Sequence, residues 1–145
     1  MIEQLQYWLN RLHEVAPDSA GDILGLEVLD YNEQTEEFLM RGHTQDWMRN
    51  AHGTLHGGIC ATMADQAMGS VACCYKRGEG ILPAIELGMN YHRPLIPGEN
   101  VLLKVRKMSA TRTLIHVCAE LYRESQPQKL CSTAHATYFF KEAER

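Results

Sequence analysis

The chain has 145 residues, 45 % of them hydrophobic, with a formal net charge of -4. That length suits one domain over residues 1-145 with a buried core, and the acidic balance excludes a face built to neutralise nucleic-acid phosphates. Five cysteines (Cys60, Cys73, Cys74, Cys118 and Cys131) form no C-x-x-C pair and are odd in number, which fits reduced cytosolic thiols better than a disulfide framework or a zinc site.

Leu5, Trp8, Leu9 and Leu12 recur at helical spacing, so Ile2 to Val15 reads as a short amphipathic helix stopped by Pro17. This start lacks the basic residues and apolar run of a secretion signal, and a cytoplasmic location is expected. Ile23 to Tyr31 and Glu36 to Gly42 are predicted strands around the polar turn Asn32-Glu33-Gln34. The spacing then predicts one long helix from about Gly57 to Tyr75. Between Ile59 and Tyr75 its only charge is Asp65, and many of its residues are Ala, Gly, Ser or Cys. Such a helix lies buried close against a sheet, and with Asp65 and Gln66 inside it the segment is too polar for a membrane span. No membrane partner is expected.

The second half predicts strands at Ile81 to His92, Val101 to Met108, Thr113 to Arg123 and Lys129 to Lys141. Turn signals at Pro97-Gly98-Glu99-Asn100, Ser109-Ala110-Thr111 and Glu124-Ser125-Gln126-Pro127 divide the later strands, whose spacing suits an antiparallel meander. The expected class is α+β: a curved antiparallel sheet wrapped around one central helix, with the short helix at the N-terminus.

Candidate chemistry gathers at Asn50-Ala51-His52-Gly53-Thr54-Leu55-His56-Gly57-Gly58 and at Asp65. Two glycines at a helix start leave backbone N–H groups uncovered where the dipole is positive, a ready oxyanion site; the plainer alternative is a tight turn that needs glycine. Asp65 could serve as a general base or nucleophile, or it could sit in a solvent stripe with Thr62, Gln66, Gly69, Ser70 and Cys73 at helical spacing. His52 and His56 are four residues apart, but no helix precedes residue 56 and no third ligand lies nearby, so no metal is expected. Serine-triad, Rossmann and P-loop patterns are missing from the sequence.

The run Asn50…Gly53-Thr54-Leu55-His56-Gly57-Gly58…Ala61-Thr62…Asp65, with Asn90-Tyr91-His92-Arg93-Pro94 and Pro97-Gly98-Glu99, resembles the phenylacetyl-CoA-type and hydroxybenzoyl-CoA-type thioesterases of the hotdog superfamily. The resemblance covers about Gly25 to Phe140. It implies a hotdog fold, hydrolysis of acyl-CoA thioesters without a cofactor, and homodimers that can pair into tetramers. It also implies that Asp65 is the catalytic carboxylate, that the Gly57 N–H binds the thioester oxygen, that Asn50 positions the carbonyl or water, and that His56 holds the turn. Gly58, Arg93, Met68 and Ala84 are expected to touch substrate, Arg93 through a CoA phosphate. Related enzymes often carry Ser or Thr where this chain has Ala84, a hydroxyl that orients the attacking water; Ser70 or Thr62 is the candidate replacement.

Gly57 and Asp65 are eight residues apart on one helix, a rise of ~12 Å. If both act on one thioester, they come from different subunits. Two rival readings remain: an acyl-thioester hydratase or dehydratase using His56 with Asp65, and a non-catalytic acyl-CoA-binding protein.

Overall fold

The computed structural model describes residues 1–143. Helix α1 spans Ile2–Val15 and helix α2 spans Gly57–Cys74. Strands β1 (Glu27–Asn32), β2 (Glu37–Gly42), β4 (Ala84–Tyr91), β5 (Val101–Ala110), β6 (Leu114–Arg123) and β7 (Leu130–Phe139) form one antiparallel sheet in the order β1-β2-β5-β6-β7-β4. A second small pair joins β3 (Gly80–Ile81) to β8 (Lys141–Glu142).

Alternation along the strands explains where the core sits. In β2, in β6 and in β5 as far as Val105, every second residue is buried, so one pleat face points inward. Phe38, Met40, Leu103, Val105 and Leu121 on that face are fully buried, as are Met63, Ala64, Ala67, Met68 and Val71 of α2. Small inward residues, Ala119 on β6 with Ala134 and Ala136 on β7, let the helix lie close in the concavity of the sheet. The α+β arrangement expected from the sequence is the one observed. No described helix is long and apolar enough to cross a membrane.

Two expected strands are shorter than predicted. Ile23 to Tyr31 begins as a 3-10 turn over Asp22–Leu24, because Gly25 adopts a left-handed φ of 54° and redirects the chain before Glu27. Ile81 to His92 is two strands: Pro83 has no N–H to continue a ladder, its carbonyl accepts instead from Phe139 N–H at 3.0 Å, and β3 turns away to β8. The meander expected for the later strands holds for β5, β6 and β7, but β4 crosses to the far edge beside β7.

That edge position sets up the site. β4 is half-buried at best, and its inward residues Leu87 and Tyr91 are 39 % and 54 % exposed. In register with β7, Ala84 stands opposite Tyr138. The packing of β5 on α2 can be measured directly. Leu103→Ala is expected to cost about 2–5 kcal/mol, read as a lower urea midpoint with an unchanged slope.

Candidate active site

The loop before α2 is organised by one side chain. Asn50 Oδ1 accepts the N–H groups of His52 at 2.9 Å and Thr54 at 3.2 Å, while its Nδ2 donates to Thr54 Oγ1 at 2.8 Å. An asparagine that folds its own following residues this way is an Asx turn. Gly53 completes it with a φ of 78°. One of the two Nδ2 hydrogens remains for a ligand.

His56 is the N-cap of α2, and its Nδ1 accepts the Gly58 N–H at 2.9 Å. A neutral histidine in this role carries its proton on Nε2. The two glycine amides are therefore unequal. Gly58 is engaged by His56, whereas Gly57, as the first residue of the helix, has no intrahelical acceptor, and no described residue accepts its N–H. Tyr91 lies over Gly57: a Cβ there would come 3.3 Å from the phenol, whose hydroxyl donates to the Gly57 carbonyl at 2.6 Å. Asn50, Gly57, Cys60, Tyr91 and Arg93 line one pocket of about 330 Å³. Arg93 is anchored there by an Nη1–H donated to the Leu130 carbonyl at 2.8 Å. Burial pushes the Cys60 thiol up to about 11, which leaves it a poor nucleophile at neutral pH.

Asp65 lies two turns further along α2, in a different pocket. Together with Gln66, Gly69, Ser70 and Cys73 it faces Trp8, Arg11, Leu12 and Val15 of α1, Leu82, Ala84 and Tyr138, across a volume of about 370 Å³. The stripe that spacing alone left open as a solvent face is thus the wall of a cleft. Asp65 Oδ1 accepts the Tyr138 hydroxyl at 2.8 Å, and the Asp65 carbonyl lies 2.9 Å from the same oxygen. Burial first, then the neighbouring carboxylate, pushes the Tyr138 phenol far above the ordinary tyrosine range, so it stays protonated and acts as a donor. Burial also raises the Cys73 thiol.

The structure brings Asn50, His56, Gly57, Gly58 and Arg93 together at the start of α2, and Asp65 together with Ala84 near its middle; it does not bring Asp65 to Gly57 within one protomer. Met68, expected at the substrate, is packed in the core and lines neither pocket, because its face of α2 points into the sheet. The candidate replacements for a hydroxyl at Ala84 are both engaged elsewhere. Ser70 Oγ donates to the Gln66 carbonyl at 2.8 Å and Thr62 Oγ1 to the Gly58 carbonyl at 2.9 Å, each bonding back along its own helix. Tyr138 escaped the sequence reading. Its link to Asp65 depends on the β4–β7 register, which no local pattern encodes.

The model of the Thioesterase superfamily matches residues 52–129, more than half of the chain. Human acyl-coenzyme A thioesterase 13 is 28 % identical over 91 residues, 61 % of this chain and 63 % of that protein, so the match spans less than two thirds of the relative. Among solved structures, the PaaI protein of the E. coli phenylacetic acid degradation operon superposes with a TM-score of 0.79 at 15 % identity, covering 98 % of this chain and 96 % of that one. A Streptococcus mutans protein bound to acetyl CoA superposes with a TM-score of 0.68 at 18 % identity, covering 83 % and 91 %. The sheet and central helix are those of the hotdog fold.

The cap on α2 yields a stability test. His56→Ala is expected to destabilise the protein by about 1 kcal/mol, while His56→Asn, itself a good N-cap, retains most of that. Chemical unfolding of the two variants measures the difference.

Proposed function

The chain belongs to the thioesterase superfamily, and on that premise we propose that it hydrolyses acyl-CoA thioesters to free acid and CoA thiol, as a homodimer of one-domain subunits. The observation that carries this reading is the division of the site. An unaccepted amide stands at the start of α2, and a carboxylate is held in a cleft eight residues along the same helix. A rigid helix separates them by ~12 Å, whereas a carbonyl bound to Gly57 would lie ~3 Å from its N–H. The two groups serve one thioester when a second α2 runs antiparallel to the first across a two-fold axis, which gives two composite sites.

In this mechanism the Gly57 N–H, at the positive end of the α2 dipole, takes the charge that builds on the carbonyl oxygen. Asn50 adds its remaining Nδ2–H. Asp65 of the other subunit removes a proton from water as the water oxygen bonds to the carbonyl carbon. The tetrahedral adduct collapses, the C–S bond breaks, and its electron pair leaves on sulfur as the CoA thiolate. A thiolate is a good leaving group, so no strong acid is required. Arg93, beside Asn50 and Gly57, is suited to a CoA phosphate. Acetyl CoA bound to a hotdog neighbour supports the choice of ligand.

The hydratase reading requires His56 as a base. With Nδ1 occupied by the Gly58 N–H, its neutral ring offers only an Nε2–H donor, so hydrolysis is favoured. A non-catalytic binder would bind acyl-CoA with no turnover, with or without Asp65.

Two measurements test the reading. Asp65→Asn is expected to lower kcat for CoA thiol release by about 100-fold or more. Co-expressed Asp65→Ala and Asn50→Ala subunits should regain roughly a quarter of wild-type activity, since random pairing makes about half the dimers mixed and each mixed dimer has one intact site of two. No recovery above the two parents would rule out shared sites.

A further inference from the structure

Tyr138 ends the inward row of β7, and its ring is 2 % exposed. It reaches α2 beside Gly69, where a Cβ would lie 3.5 Å from the ring, and brings its hydroxyl to 2.8 Å from Asp65 Oδ1. A phenol has one proton to donate. Of the two oxygens within reach, the Asp65 carbonyl is also placed to accept the helix's own i+4 N–H, from Gly69, and an ionised carboxylate is the stronger acceptor. Ala84, the residue opposite Tyr138 in the strand register, carries no hydroxyl. Ser70 and Thr62 give theirs to their own helix, and Gln66 Nε2 points to Ser70 at 3.3 Å. Among the described residues, Tyr138 is the donor to the Asp65 carboxylate, and it serves one oxygen only.

We propose that Tyr138 is a positioning residue for hydrolysis: its buried hydroxyl anchors Asp65 Oδ1 and thereby turns Oδ2 toward the water that attacks the thioester. This rests on the reading of Asp65 as the base. The proton leaves water for Oδ2, the water oxygen bonds to the carbonyl carbon, and Tyr138 keeps its own proton throughout. One consequence follows from the hydrogen bond: it fixes the carboxylate rotamer, which governs kcat rather than substrate binding.

The test compares Tyr138→Phe, Asp65→Asn and the double variant in the assembled enzyme, with hexanoyl-CoA and phenylacetyl-CoA as probes. Tyr138→Phe is expected to lower kcat by roughly 10- to 100-fold, the value of a hydrogen bond to a charged group, and to leave KM nearly unchanged. Adding Tyr138→Phe to Asp65→Asn should cause no further loss. Should the Phe variant fail to fold, 3-fluorotyrosine at position 138 keeps the shape and donates more strongly, so kcat should change while KM stays. An unchanged kcat in a folded variant, beside an inactive Asp65→Asn, overturns the role of Tyr138 and leaves the base assignment standing. Wild-type turnover by Asp65→Asn overturns both.

Discussion

The fit of α2 into the concave sheet is the constraint from which the rest follows. Ala64, Ala67, Ala72 and Gly69 keep the helix slim, and the alanines of β6 and β7 keep the sheet face shallow. Dispersion and apolar burial therefore act over nearly the full length of the helix. A helix held that firmly behaves as a rod. Its first amide and its one carboxylate then lie at fixed places, and neither can move to meet the other.

The two places on this rod are prepared differently. At the N-terminus His56 occupies the second amide and leaves the first, so the cap selects which N–H is presented. Tyr91 closes over Gly57 and ties its carbonyl, which fixes the plane of the Gly57–Gly58 peptide. Near the middle, where the dipole has faded, the carboxylate is held by a phenol from the sheet instead. Both devices bring a side chain to α2 from outside the helix's own periodic pattern.

That difference explains what the sequence discloses. The long helix, the β1–β2 hairpin and the meander were legible because local periodicity and turn residues carry them: in the hairpin, Asn32 Oδ1 accepts the N–H groups of Gln34 and Thr35, as a polar turn requires. Gly57, His56, Asn50 and Asp65 stand out in the sequence because they lie within sixteen residues of one another in a distinctive run. The break at Pro83 was written in the chain and passed over, since the apolar run on both sides reads as one strand. The crossing of β4 to the edge beside β7 was not legible, and neither was anything that depends on it, including the pairing of Ala84 with Tyr138. The burial of Met68 was hidden for a related reason: helical spacing says which residues share a face, but only the sheet decides which face is inside.

The position of β4 also links stability to chemistry. Its apolar side chains Ile85, Leu87 and Tyr91 stand 59 %, 39 % and 54 % exposed on a strand with one unpaired edge. An open, apolar edge invites pairing with another chain and is a hazard if left bare. In the proposed homodimer a second copy covers that face, and the same approach brings a foreign α2 alongside the first. One contact would therefore remove exposed apolar surface from water and complete a site that a lone protomer leaves in halves. On this view association is a condition of catalysis: the hydrophobic gain that joins the subunits also sets the distance between amide and carboxylate.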